Sequence, residues 1–145
     1  MARIEKSIEI EASPEKVFST AKELERMPEW MSSMKSCKIT SEKRYGEGVT
    51  AHCVMQQMDR TVEYDIEMTE YNENEKASWH CDKPMRMDGS MNLKPTDSKT
   101  KVTMVMDYDL PYSILGQVLD KLKMSGEMEK SMEESLKNLK KMLEE

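Results

Sequence analysis

Aromatic residues are scarce in this chain of 145 residues, which has one phenylalanine, two tryptophans and five tyrosines. Leucine, isoleucine and valine are also sparse, whereas methionine occurs 16 times. Methionine is unbranched and polarizable, so a core rich in it fills irregular space and adapts to varied contacts. Two interpretations are open at this point: a general bias of composition, or a site suited to a soft apolar ligand.

Other absences exclude whole classes of function. The chain has 22 Lys and Arg against 28 Asp and Glu, so it lacks the basic excess that phosphate binding requires. No apolar run approaches the roughly 18 residues of a transmembrane helix, and the charged start MARIEKSIEIEA lacks the apolar segment of a signal peptide. We therefore expect a cytoplasmic protein with no nucleic-acid partner and no stable membrane attachment.

Residues that carry chemistry are few. The cysteines Cys37, Cys53 and Cys81 are widely spaced and odd in number, which is typical of reduced thiols rather than of a disulfide framework. His52 and His80 fall on different predicted strands, and nothing in the pattern puts them on one face beside a carboxylate. The chain has no HExxH, CxxC, P-loop, GxGxxG or GxSxG motif. We expect no metal and no cofactor.

The first forty residues predict a strand followed by two short helices. Ile4, Ile8 and Ile10 alternate with charged residues, which indicates a strand with one wet face. Ser13 before Pro14 is typical of a helix N-terminus. A second short helix is predicted in the segment ELERMPEWMSSM, with an interruption near its proline.

The middle of the chain reads as a meander of six strands. Turn signals occur at residues 44–48, 57–60, 71–76, 81–84 and 94–99, separating runs of strand length. Two runs place apolar residues on one face at every second position: Val62, Tyr64, Ile66 and Met68 in one, and Val102, Met104, Met106 and Tyr108 in the other. A third run puts Met85, Met87, Met91 and Leu93 in phase with Gly89 between them.

The last third predicts one helix of about 30 residues that begins just after Pro111, with a plausible bend at Gly126. No linker or repeat divides the chain, so we expect one α+β domain over residues 1–145. A twisted antiparallel sheet of seven strands curls, and a single helix across its concave face leaves the interior incompletely filled. The geometry therefore predicts a cavity between the sheet and the helix.

This order of elements resembles the SRPBCC superfamily, which includes START-like lipid-transfer domains, pathogenesis-related allergens and polyketide cyclase/dehydrase proteins. The residues that carry the resemblance are IEIEASPEKVFSTAKELERMPEWMSSMKSCKI, GEGVTAH, GSMNLKPTDSKTKVTM and LKNLKKMLEE. The resemblance implies the helix-grip fold, a seven-stranded curved antiparallel sheet wrapped around a long C-terminal helix, with two short helices after the first strand. It also implies an internal pocket for a hydrophobic ligand, but it does not imply one reaction.

Three functions remain open. The first is binding, and possible transport, of a small hydrophobic ligand such as a lipid, an isoprenoid or quinone, or a polyketide-like molecule. The second is a cyclase or dehydratase activity in the same cavity, and the third is a non-catalytic adaptor, although no protein partner is indicated. The candidates for catalytic groups are Tyr64, Tyr108 and His80. The candidate wall residues are Trp30, Met55, Tyr64, Ile66, Met68, Trp79, Met87, Met104, Met106, Leu115, Leu119 and Leu122.

Trp30 needs a particular explanation in a chain with so few aromatic residues. Pro28 is predicted to break the short helix, which would let Trp30 turn toward the interior. Its side chain could then plug the core or form a wall of the cavity, and an exposed anchor for a partner is the least favoured interpretation. Met27, Met31 and Met34 would provide adaptable packing around it.

Overall fold

The computed structural model describes residues 2–57, 60–83, 85–109 and 118–144, with side chains for all of these except residue 57 and residues 118–124. Within these ranges, seven strands form one antiparallel sheet in the order β1-β7-β6-β5-β4-β3-β2, which confirms the predicted seven-stranded architecture. The strands are β1 (Ala2–Ile10), β2 (Met34–Ile39), β3 (Thr50–Gln57), β4 (Arg60–Asn72), β5 (Lys76–Cys81), β6 (Met87–Thr96) and β7 (Lys99–Tyr108).

The predicted alternation of faces is confirmed along the sheet. In β4, Tyr64, Ile66 and Met68 are buried, whereas the residues between them are exposed. Residues of β6 and β7 that were predicted to share a face are likewise turned inward, although Met106 is only half-buried. One face of the sheet therefore carries the core and the other carries the charges.

Two irregularities in register bend the sheet. One lies between Met34 and Ser36 where β2 pairs with β3, and the other lies between Met68 and Glu70 where β4 pairs with β5. A bulge of this kind bends its strand and increases the local twist. Both bulges lie in the part of the sheet that borders the cavity described below.

Two short helices follow β1, as predicted. Helix α1 spans Pro14–Ala21, and the Ser13 hydroxyl accepts a hydrogen bond of 3.2 Å from the Lys16 amide at its N-terminus. The second is a 3₁₀ helix, Leu24–Glu29, and it contains Pro28 instead of being broken by it. It ends at Glu29, one residue after the proline.

The C-terminal helix α2 spans Val118–Glu144 and is continuous through Gly126, the position at which a bend was predicted. Its predicted start after Pro111 lies outside the described residues. Met132, Leu136, Leu139 and Leu143 are buried together with the inward side chains of the sheet. This spacing places them on one stripe of the helix, as the periodicity predicts.

Polar contacts hold α2 against β1. The Lys6 ammonium group lies 2.8 Å from carboxylate oxygens of both Glu129 and Glu133. Near the end of the helix, the Lys140 Nζ donates a hydrogen bond of 2.9 Å to the Glu9 carbonyl oxygen. The helix is therefore attached along the first strand, which fixes its position over the concave face.

Candidate functional site

The first cavity, here called the inner cavity, has a volume of about 90 Å³. It lies between the inward face of the sheet and the segment formed by α1, the 3₁₀ helix and the residues that follow. Methionine is the commonest residue in its wall. The sequence-predicted wall residues that line it are Trp30, Met55, Tyr64, Ile66, Met68, Trp79, Met87 and Met106.

The second cavity, here called the helix-side cavity, has a volume of about 320 Å³ and lies between the sheet and α2. Met104 lines this cavity and not the inner one, so it also lies where a wall residue was predicted. The wall of this cavity is more polar than that of the inner cavity. Its lining residues on α2 include Glu127, Lys130, Ser131, Glu134 and Ser135.

Three predicted wall residues of the helix receive no structural test. Leu115 lies outside the described residues, and nothing is described for the side chains of Leu119 and Leu122. Their place in the wall therefore remains a prediction.

Trp30 is both part of the core and part of the wall. It is 1% exposed and lines the inner cavity. Its backbone amide donates to the Met27 carbonyl at 3.1 Å, and its own carbonyl accepts a 3.1 Å hydrogen bond from the Asn138 side chain of α2. The indole Nε1 is buried with no acceptor among the residues that the structure describes. The exposed-anchor interpretation is therefore wrong.

Part of the inner cavity is bordered by charged and polar residues that the sequence patterns did not indicate. The Tyr45 hydroxyl donates a 2.6 Å hydrogen bond to Glu23, and Arg44 Nη2 lies 2.9 Å from a Glu25 oxygen. The Lys22 ammonium group lies 5.0 Å from the centre of the Tyr45 ring. The hydrogen bond to Glu23 raises the pKa of Tyr45, and the bond from Arg44 lowers the pKa of Glu25. Lys22, Arg44 and Tyr45 all line the cavity, so its charged groups stand at this rim.

The three candidate catalytic groups do not converge. Tyr64 lines the inner cavity, but Tyr108 lines neither cavity. Tyr108 is fully buried, and its hydroxyl lies 2.5 Å from the hydroxyl of Ser125. His80 follows Trp79 in β5 and therefore points to the opposite face of the sheet. There its ring nitrogens lie 2.6 Å from Asp88 and 2.8 Å from Asp82.

A pair of thiols borders the inner cavity. Cys37 and Cys53 face each other directly across β2 and β3, with their sulfur atoms 3.4 Å apart, and Cys53 lines the cavity. A hydrogen bond from the Cys53 thiol stabilises the thiolate form of Cys37. This contact lowers the pKa of Cys37 and raises the pKa of Cys53.

The described part of the chain contains no cluster of three or more His, Cys, Asp or Glu residues able to hold a metal ion. In the same part of the chain, no helix is long and apolar enough to cross a membrane.

The sheet, the gripping helix and the cavities between them define a helix-grip domain. The chain belongs to the family described as polyketide cyclase / dehydrase and lipid transport, whose model matches residues 1–144. This membership confirms the resemblance to the SRPBCC superfamily that the sequence motifs indicated.

Solved structures with the same fold cover nearly the whole chain. A protein of Thermus thermophilus, TTHA0849, is 23% identical with a TM-score of 0.84, covering 98% of this chain and 97% of its own. The Zhui aromatase/cyclase of Streptomyces sp. R1128 is 11% identical with a TM-score of 0.83, covering 99% and 93%. A START superfamily protein of Mycobacterium smegmatis is 16% identical with a TM-score of 0.76, covering 97% and 98%. No curated protein matches the chain.

Proposed function

We propose that this protein binds a small hydrophobic ligand between the sheet and the C-terminal helix. The observation that carries the proposal is the wall of the inner cavity, which is built from methionine, aliphatic and aromatic side chains with charged groups at its rim. Ligand sites are mostly apolar cavities with a few placed polar groups, and this cavity fits that description. The predicted wall residues are the proposed contacts of the ligand.

Binding without catalysis is favoured over the cyclase alternative by the placement of the polar groups. A general acid or base must lie within hydrogen-bond reach of the atom on which it acts. Tyr64 is the one predicted catalytic candidate that lines a cavity, and neither Tyr108 nor His80 lies beside it. The adaptor alternative predicts an exposed apolar patch, but Tyr45 is the only large hydrophobic residue exposed among those described.

The proposal is tested by native mass spectrometry of the purified protein before and after organic extraction. We expect an added mass that extraction removes and that the Met104→Glu variant fails to retain, because a carboxylate would be buried in the helix-side cavity. Thr103→Glu is the matched control, since this neighbour lies on the opposite face of β7. The Met104→Gln variant gives a milder change if the charged one does not fold. A protein that carries no ligand and binds no apolar probe would contradict the proposal.

The cyclase alternative keeps one specific observation in its favour, the position of Tyr64 in the wall of the inner cavity. If the protein were such an enzyme, Tyr64→Phe would abolish conversion of a linear polyketone while ligand retention stayed intact. Absence of turnover by the wild-type protein together with retained binding would exclude this alternative for that substrate class.

A further inference from the structure

The inner and helix-side cavities share part of their walls. The described residues common to both are Met31, Met55, Met87 and Met106, and all of them are methionines. We call this set the methionine partition. Its members come from four separate places in the chain: the residue after Trp30, strand β3, the start of β6 and strand β7.

The chemistry of the partition determines how firmly it separates the two spaces. A methionine side chain has three rotatable bonds and no branch, so it changes conformation with little steric resistance. A β-branched residue at the same positions would have one strongly restricted rotation at its first side-chain bond. A wall whose described shared residues are all methionines is therefore a barrier that an entering apolar molecule can displace.

The volumes of the two cavities indicate why a ligand must displace the methionine partition. An engineered cavity of about 150 Å³ accommodates benzene, whereas ligand pockets usually measure about 300–1,000 Å³. The inner cavity, at about 90 Å³, is too small for a ligand of that kind, and the helix-side cavity, at about 320 Å³, stands at the lower end of the range. A ligand longer than the helix-side cavity therefore gains apolar contact only by passing the partition.

We propose that the two cavities are compartments of one chamber, and that its ligand is an elongated amphiphile whose apolar chain passes the methionine partition. The polar end lies in the helix-side cavity, whose wall includes Ser131, Ser135 and Gln56. The apolar tail enters the inner cavity, among residues such as Ile66 and Trp79. This inference rests on the proposed function and narrows its ligand to a chain-like molecule with one polar end.

The test measures the affinity of octanol, dodecanol and hexadecanol by displacement of a fluorescent apolar probe. The wild-type protein should bind the longer alcohols more tightly, because each further buried methylene adds to the binding energy. In the variant Met55→Ile/Met106→Ile, affinity for hexadecanol should fall about tenfold more than affinity for octanol, which corresponds to about two lost methylene contacts. Isoleucine suits both positions because they lie in strands.

The matched control is Met85→Ile/Met142→Ile, which makes the same chemical change at two methionines that line neither cavity. We expect this control to bind hexadecanol within twofold of the wild type. Thermal unfolding of each variant checks that it is folded. If a variant is not folded, methionine methyl resonances of the wild type supply the test, because hexadecanol should shift those of the partition and of the inner cavity, whereas octanol should leave those lining only the inner cavity unshifted.

The outcomes separate the two proposals. If the wild-type protein binds no alcohol and no probe, the proposed function itself fails. If it binds them but affinity does not rise beyond octanol, or if both double variants lose hexadecanol equally, the divided chamber is wrong while the ligand-binding function stands.

Discussion

Trp79 lies directly across from Gly89 in the pairing of β5 with β6, and its indole ring occupies the space in which a side chain at position 89 would stand. A Cβ atom built on Gly89 would lie 2.3 Å from Trp79 Cε2. Because Trp79 lines the inner cavity, this glycine sets the position of part of the cavity wall.

Gly89→Ala should therefore displace the Trp79 ring, destabilise the protein by about 1–3 kcal/mol through overpacking, and shift tryptophan fluorescence. Gly126→Ala is the control, since nothing lies within 4 Å of a Cβ there, and alanine in a helix should add about 0.5–1 kcal/mol. Adding Trp79→Leu to the Gly89→Ala variant should restore part of the lost stability. Equal stability of Gly89→Ala and wild type in urea unfolding would contradict this interpretation.

Trp30 combines a well-packed ring with a buried donor that has no acceptor in the described structure. Trp30→Ala should cost about 3–5 kcal/mol, as large deletions in a core do. Trp30→Phe should cost much less, because it removes the unsatisfied N–H, whose burial carries a penalty of about 1–3 kcal/mol. Urea unfolding of both variants measures the difference, and equal losses would contradict the prediction.

Tyr45 lines the inner cavity at an exposed position and donates a hydrogen bond to Glu23, so we expect it to restrict entry. In Tyr45→Phe the ring stays while this bond is lost, so an apolar probe should enter and leave faster with a nearly unchanged dissociation constant. Stopped-flow fluorescence measures both rates. Ser78→Ala is the control. It also removes one side-chain hydrogen bond, the 3.2 Å bond from Ser78 to Glu70, but Ser78 lines neither cavity. Unchanged rates in Tyr45→Phe would exclude this residue as a barrier to entry.

Cys37 should be the first of the three thiols to react with iodoacetamide in the folded protein. The hydrogen bond from Cys53 lowers the pKa of Cys37, whereas burial raises the pKa of Cys81 and the thiol contact raises the pKa of Cys53. The thiolate is the reactive form, so the order of alkylation follows these directions. Peptide mass spectrometry over time gives the order. In Cys53→Ala the reactivity of Cys37 should fall, and an unchanged rate would contradict the role of the contact.

The two histidines make stability depend on pH. Hydrogen bonds to Asp65 and Glu63 raise the pKa of His52, and those to Asp88 and Asp82 raise the pKa of His80. A histidine whose pKa is raised in the folded state stabilises the protein. This stabilisation is complete at pH below the pKa in the unfolded chain, near 6.5, and it is lost as pH rises through the pKa in the folded protein. Urea unfolding should show this loss in the wild type and a smaller one in His52→Gln/His80→Gln. Histidine titrations by NMR that lie at or below 6.5 would contradict the prediction.

The sequence predicted the fold because the fold depends on periodicity. Tyr64, Ile66 and Met68 alternate with acidic residues, and this pattern alone assigns their face. The cavity also followed from the order of elements, since one helix cannot fill a curved sheet. The interior position of Trp30 was predicted from a helix break at Pro28; the position is correct, although the 3₁₀ helix contains the proline without a break.

The details that depend on pairing across strands could not be predicted. Which residue faces Trp79 depends on the register of β5 with β6, and a shift of one residue would put a side chain there. The contact of Tyr45 with Glu23 joins two loops that have no periodic signal. His80 was a candidate for the interior because the face of β5 was open, and its place outside follows from the inward position of Trp79.

The methionine-rich wall also gives the chamber a chemical sensitivity that a wall of leucine would not have. Oxidation of a methionine thioether to the sulfoxide converts a flexible apolar side chain into a polar one. In Met55 or Met106 this conversion would place a polar oxygen at the boundary between the two compartments. The same side chains that admit a long apolar molecule would then reject it, and reduction of the sulfoxide would restore the passage.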